Sequence, residues 1–367
     1  MRKINLRLLI ICSVFIAGCT QDGQRGSVED LALVSSVALD YVNDKEMWMT
    51  VSIPQPMGES PVLTEVYTVN TEMIQEGLVK ISSEADKMII LNQLRTVLVN
   101  EEFAKSGKMT QVIEHFYRDS TVGNKVRLAV VKDRAEDILQ ADYPENEHLD
   151  AYLNDLFQPK LHNSFSPFTT IQEYMNTQTS PIYHTMVPFL EKKGKSLKIT
   201  SIALFNNEKM VQTITNQESL LIQALKGLQK LSPIAVEFKE SGQNQQLFLE
   251  QIKNKLRVKS NKDIESPELS ISLEIEGVVV EYKGDRNLSK VEDNKKLEKE
   301  ISKHIKKEIE DLLKKLQELK VDPVGFSENF RMYHKGEWTD ELTEKIIETA
   351  EYKVDVEFKI LNAGIIK

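Results

Sequence analysis

Cysteine is almost missing from this chain: the 367 residues hold two, Cys12 and Cys19, both near the amino terminus. The body therefore has no thiol for a disulfide, a thiolate metal site or a cysteine nucleophile, and its fold must rest on its core alone. Long apolar runs are also missing, and none reaches the roughly 20 residues that a membrane-spanning helix needs. The chain has no phosphate-cradling glycine loop, no nucleophile elbow and no His-Glu-x-x-His helix. Its six histidines, His115, His148, His162, His184, His304 and His334, are too scattered to form a short metal-binding pair. Acid pairs such as Glu101–Glu102, or Glu281 near Asp285, are what composition alone gives in a chain with 56 acidic residues. Aromatic residues are 7%, which weakens the case for a sugar-stacking cleft. These absences point away from an enzyme and imply no catalytic residue, metal or cofactor.

What is present begins at the first residue. Arg2, Lys3 and Arg7 form a basic start, Leu8 to Phe15 is a short apolar run, and Ile16-Ala17-Gly18-Cys19 closes it with small residues before a cysteine. That order is a secretory leader ending in a lipobox. Cleavage is expected before Cys19, which would carry an S-diacylglyceryl group and an N-acyl chain. Each buried methylene contributes roughly 0.8 kcal/mol and one chain alone binds marginally, so several chains on one residue give a stable membrane anchor.

The net charge of −9 includes the three positive residues of the leader, so removing them leaves −12 on the body. An acidic body argues against nucleic acid, whose phosphates require clustered Lys and Arg, and against lying flat on anionic lipid. Hydrophobic residues at 41% and charged residues at 28% are ordinary for a globular chain, and the length suits two or three domains.

The leader spans 1–18, and polar residues 19–27 read as a lipidated tether. Residues 28–195 form an N-terminal α/β region of one or two subdomains. Leu31 to Val42 and Met47 to Ile53 are apolar strands joined by Asn43-Asp44 turn chemistry, with Pro54, Pro56, Gly58 and Pro61 in a following loop. Val62 to Thr68 is a further strand candidate. Thr71 to Ser82 carries helix periodicity, Met88 to Val99 reads as one strand, Met109 to Tyr117 as helix, Arg127 to Lys132 as strand and Ala135 to Gln140 as helix. Helical pieces follow near His148 to Phe157 and Thr169 to Thr177, and Glu191 to Lys195 is the best linker candidate.

Residues 196–367 read as an α+β domain. Leu197 to Phe205 opens it as a strand, and Glu218 to Leu231 reads as a helix. In Glu268 to Glu276, Leu269, Ile271, Leu273 and Ile275 alternate with polar residues, and Val354, Val356, Phe358 and Ile360 repeat the pattern, as expected of a sheet with one face in water. Between them Leu297, Ile301, Ile305, Ile309, Leu312, Leu316 and Leu319, widened by Leu313, mark one face of a long amphipathic helix ending before Asp322-Pro323. The expected architecture is α+β or mixed α/β: several mixed sheets with packed helices, and a C-terminal antiparallel sheet covered by the long helix of its own domain.

The same pieces, in order, resemble the Ger(x)C, or GerAC-type, lipoproteins, the C subunits of spore nutrient-germinant receptors. The resemblance starts at the lipobox and Glu29 to Asp40. It runs through Leu91 to Val99, Glu101 to Ala104, His115 to Asp119, Val126 to Val131 and Ala135 to Leu139. It continues in Ile202 to Phe205, Lys209 to Val211, Asp322-Pro323-Val324-Gly325-Phe326, Trp338, Val354 to Val356 and Asn362-Ala363-Gly364. Ser327 stands where that family commonly has glycine. The resemblance implies a non-enzymatic receptor subunit on the outer face of the spore inner membrane. It also implies integral-membrane A- and B-type partner subunits and several α/β domains. The alternative reading is a solute-binding lipoprotein that feeds a nutrient to a transporter, built from two similar lobes.

Overall fold

The structure is a computed structural model that describes residues 30–55, 64–85, 87–143, 148–158, 160–240 and 243–363. The lipobox and Cys19, the loop prolines Pro56 and Pro61, and Pro144 and Pro159 lie outside the described residues.

The first part of the chain builds an eight-stranded sheet. Its strands are β2 (Ser36–Tyr41), β3 (Met47–Pro54), β4 (Thr64–Thr71), β6 (Thr96–Asn100), β7 (Arg127–Val131), β8 (Met186–Lys193), β9 (Ser196–Asn206) and β10 (Lys209–Thr215). Across the sheet they stand in the order β10-β9-β8-β7-β6-β2-β3-β4. The pairs β2/β6, β6/β7 and β7/β8 are parallel, and hairpins flank them on both sides. Parallel neighbours require crossovers, which helices supply. These are α1 (Ile74–Ala85), α2 (Glu101–Ser106), α3 (Met109–Arg118), α4 (Glu136–Leu139), α5 (Leu149–Phe157) and α6 (Ile171–Gln178).

Helices cover both faces, which explains why the central strands read as unbroken apolar runs. Val37, Leu39, Val97, Val99, Leu128 and Val130 point to one side, into a core with Phe103, Ile113, Phe116 and Tyr174. Ala38, Leu98, Ala129 and Val131 point to the other, against Ile138, Leu139, Leu149, Leu153 and Phe157. A small parallel ribbon, β1 (Leu31–Leu33) with β5 (Met88–Ile90), sits beside the main sheet. The stretch Met88 to Val99 is thus two strands. A turn at Leu91 to Leu94, closed by Leu94 N donating to Leu91 O at 2.9 Å, sends them into different sheets.

The expected linker at Glu191–Lys195 is a hairpin turn: Lys193 pairs with Ser196, and β8 with β9 along its length. Strands on both sides of residue 195 therefore share the first sheet.

Then comes α7 (Asn216–Leu225), entered through a capping box in which Thr215 Oγ1 accepts from Glu218 N at 3.1 Å. It ends six residues before the expected Leu231. Gly227, at φ 82°, sits in the left-handed region, with Gly227 N donating to Ala224 O and Leu228 N to Gln223 O. Asn254 Nδ2 takes up Ala224 O and Leu228 O at 2.9 and 3.1 Å, so a distant strand seals this helix end.

The second sheet holds β11 (Lys230–Leu231), β12 (Ile234–Glu240), β13 (Gln243–Ser260), β14 (Glu268–Lys283) and β15 (Glu351–Ala363). Its pairs are antiparallel up to β14, while β15 enters parallel to β14. The parallel entry follows from the connection, which passes through α8 (Val291–Glu318), α9 (Glu328–Arg331) and α10 (Asp340–Thr349) and returns β15 in the direction of β14. Leu269, Ile271, Leu273, Ile275, Val354, Val356 and Phe358 are buried as the alternation requires.

The stripe on α8 divides between two cores. Leu297, Ile301, Ile305, Ile309 and Leu313 pack on the second sheet. Leu312 and Leu316 join Met186, Ile202, Leu204, Ile214 and Ile222 behind the first. The long helix thus covers its own sheet with most of its length and pins the neighbouring sheet with its last turns.

Candidate functional site

Two places gather polar side chains in a way that packing alone does not demand. One is the junction between the sheets, built around the loop after α8. That helix ends with Lys320 at φ 55°, Lys320 N donating to Gln317 O and Val321 N to Leu316 O. This left-handed stop precedes the proline and turns the chain inward. Asp322, 5% exposed, then folds its carboxylate over its own loop. Oδ1 accepts from Gly325 N at 2.7 Å, and Oδ2 from Ser327 N at 2.9 Å and Ser327 Oγ at 3.1 Å. A buried carboxylate is tolerated because charged-acceptor hydrogen bonds replace its water. Gly325, at φ 85°, is needed twice over: the backbone is left-handed, and a Cβ would collide with the Tyr183 ring.

His184 closes the junction from the other side. Its N–H donates to Asp322 O at 3.1 Å, and its Nδ1 accepts from Asp322 N at 3.0 Å. Accepting at Nδ1 fixes the tautomer with hydrogen on Nε2. Burial holds this imidazole below the ordinary histidine range, against the opposing pull of Asp322 and Asp340. Nearby, Trp338 Nε1 donates to Thr343 Oγ1 at 2.8 Å, and that hydroxyl donates to Pro181 O. The sequence stretches Asp322–Phe326 and Trp338 therefore converge on one loop, Pro181–His184.

The other place is a cleft of about 240 Å³ beyond the carboxyl ends of β2 and β6, where open α/β sheets commonly hold ligands. Asn100 Oδ1 ties β2 to α2 beside it, accepting from Phe103 N at 3.0 Å as the cap of α2 and from Tyr41 N at 3.1 Å. Its walls are the turn Asn43–Glu46, the start of α1, Lys108 just before α3 and the face of α3 carrying His115. His115 Nε2 lies 3.4 Å from Gln75 Nε2, and no nucleophile–base pair forms there.

The expected modification site, Cys19, lies outside the described residues. The described histidines stay apart: His304 lies by Phe238, His334 by Trp338 and His115 by Phe116. Among the described residues no group of three or more His, Cys, Asp or Glu is placed to hold a metal ion, and no helix is long and apolar enough to cross a membrane. Sequence reasoning missed the structural part played by His184, whose partner is 138 residues away. It also missed Asp40, whose carboxylate accepts from Ala135 N and Glu136 N at 2.7 and 3.0 Å and tethers α4 to β2.

Comparison with known proteins covers nearly the whole chain. A family model described as the spore germination protein N-terminal domain matches residues 24–192. A second, described as spore germination B3/GerAC like, C-terminal, matches residues 200–364. Spore germination protein GerQC of Bacillus cereus is 26% identical over 98% of this chain and 98% of its own. Spore germination protein B3 of Bacillus subtilis (strain 168) is 22% identical over 92% of each chain. The crystal structure of the GerBC protein superposes with a TM-score of 0.56 at 19% identity, covering 89% of this chain and 97% of that one. This likeness carries the fold.

Proposed function

This chain belongs to the GerAC-type family of spore germination proteins, the C subunits of spore germinant receptors, and from that premise we propose that it acts as a lipid-anchored, non-enzymatic assembly subunit. The observation that carries the reading is the pairing of a lipobox ending at Cys19 with a family match that begins at residue 24 and runs to residue 364. Acyl chains on Cys19 would hold the body at the outer face of the spore inner membrane, beside integral-membrane A- and B-type subunits. A water-facing body with no spanning helix among its described residues is compatible with that arrangement. A solute-binding lipoprotein would need two similar lobes, whereas here an eight-stranded mixed sheet with a parallel centre stands beside a five-stranded one of different topology. That asymmetry favours the receptor subunit.

The test is Cys19→Ala at the native locus. The expected outcome is a protein lost from the inner-membrane fraction of spores and a reduced response to nutrient, with mass spectrometry of the wild-type amino terminus finding acylated Cys19. Normal membrane retention together with normal germination would overturn the proposal.

A further inference from the structure

The second sheet leaves part of β13 without a neighbour. On one side this strand pairs with β14 up to its end at Ser260. On the other side β12 reaches only from Gln243 to Leu249, and β11 meets only Ile252 and Lys253. Asn254 N then donates to Gln229 O at 2.9 Å. Backbone groups along a strand face its two neighbours alternately, so Leu256 and Val258 aim theirs the same way as Asn254. Among the described residues no backbone group pairs with them there. The open stretch ends where Ser260 Oγ donates to Asn329 O, in α9, at 2.9 Å. A groove of about 570 Å³ lies along its start, bounded by Gln229 and Lys230 on one side and by β13 and Glu276 on the other.

The side chains along this edge are sorted by face. Lys253, Lys255, Arg257 and Lys259 are exposed, and they alternate with Leu256 and Val258, which are half-buried against the second core. The cations outnumber the acids placed to meet them. Lys253 stands opposite Lys230 of β11, a like-charge pair that weakens the ladder, with Glu276 of β14 on its other side. Lys255 and Arg257 share one carboxylate, Glu274, at 3.3 and 2.9 Å. Lys259 stands opposite Ser270. Among the described residues Lys230, Lys253 and Lys259 have no ion pair. Cations on an edge keep two copies of a chain from pairing there, because each brings the same charges. An acidic strand meets no such penalty, and for it the same row is a guide.

We propose that the open edge of β13 receives an added strand from an acidic partner protein. Main-chain bonds to Leu256 and Val258 extend the sheet, and alternate side chains of the added strand set the choice of partner. Acidic residues on its outer face lie beside Lys255, Arg257 and Lys259. Apolar residues on its inner face cover the open sides of Leu256 and Val258. A strand of about five residues matches the open stretch. This surface does not depend on the lipid anchor, so either reading can fail without the other.

The experiment titrates the full chain in detergent with three short peptides and follows amide hydrogen exchange at saturation. The first peptide alternates glutamate with valine, and the second alternates lysine with valine. The third puts proline in place of each valine of the first, which keeps the charge but cannot join a ladder. The expected result is saturable binding of the first alone, weakened by salt, with exchange slowed at Leu256 and Val258. Lys259→Glu, which breaks no ion pair, should lower the affinity roughly threefold to tenfold, the scale of replacing one exposed attraction by repulsion. Lys45→Glu, in a turn of the first sheet, should match wild type. The proposal is overturned if the glutamate–valine peptide does not bind, or if the lysine or proline peptide binds as well. Unchanged exchange at Leu256 and Val258, or unchanged affinity in Lys259→Glu, would also overturn it. Protection of the same amides by self-association without peptide would give the edge to a second copy instead, and that too would overturn it.

Discussion

Gly325 and His184 show how much of this molecule turns on single backbone positions. Gly325→Ala would force a left-handed φ of 85° on a residue with a Cβ and drive that Cβ into Tyr183. The backbone cost alone is about 1–2 kcal/mol, and the ring must also move. Urea unfolding should show Gly325→Ala destabilised by more than about 2 kcal/mol. Adding Tyr183→Ala should return the steric part and leave the backbone part; full recovery in the double variant would contradict the geometry. His184 gives a pH handle. Its folded state resists protonation because burial disfavours the imidazolium, so the unfolded chain binds the proton first as pH falls. Stability rises with pH wherever the unfolded state binds more protons. The contribution of His184 is therefore full above the ordinary histidine value of about 6.5 and is lost as pH falls below it toward the depressed folded value. His184→Asn, whose amide oxygen can still accept from Asp322 N, should flatten that acid loss in unfolding measured at successive pH values. An unchanged profile would rule out His184 as its source. Little of this was legible in sequence. Asp322–Phe326 stood out as a stretch, but nothing in spacing says that a histidine near position 184 completes it, because the pairing is made by the fold and not by the local chain.

Elements were easier to read than their ends and neighbours. The stripe on α8 was plain, since a period near 3.6 survives any context. Its division was not: Leu312 and Leu316 carry the same signal as Ile301 but face another core. Leu316→Ala and Ile301→Ala should each cost about 2–5 kcal/mol, yet at different addresses. Hydrogen exchange should find β9 and β10 loosened by Leu316→Ala, and β13 to β15 loosened by Ile301→Ala. Identical exchange maps would mean that the helix serves one core only. The overrun of α7 and the fusion of β5 with β6 share a cause. Both stops, Gly227 sealed by Asn254 and the turn at Leu91–Leu94, depend on partners or on single turn residues that a periodicity scan passes over. Lys320 marks the opposite situation, a left-handed stop made without glycine. Lys320→Gly should stabilise the chain by up to about 1 kcal/mol in urea, because relief of the backbone outweighs a surface pair with Glu348 worth less than that. Destabilisation would show that the pair matters more than the backbone.

At the scale of the molecule, the two family matches break between residues 192 and 200, at a hairpin turn whose strands both belong to the first sheet. A chain cut after Lys195 would leave β8 as a bare edge, with Met186, Val187, Phe189 and Leu190 stripped of the strand that covers them. Exposed apolar edges pair with other chains, so that fragment should aggregate. Carrying the cut past α7 restores the hairpin but removes Leu312, Leu316 and Val321, the far wall of the core behind it. The clasp of His184 and Asp322 and the bond from Ser219 Oγ to Phe165 O, at 2.6 Å, cross the same junction. Two sheets joined by a shared helix, a shared core and a hydrogen-bonded loop should not melt separately. Scanning calorimetry of the full chain is therefore expected to give one transition whose calorimetric and van't Hoff enthalpies agree. Two resolved transitions would mean that the shared core contributes little, and that α8 holds only the sheet it lies on.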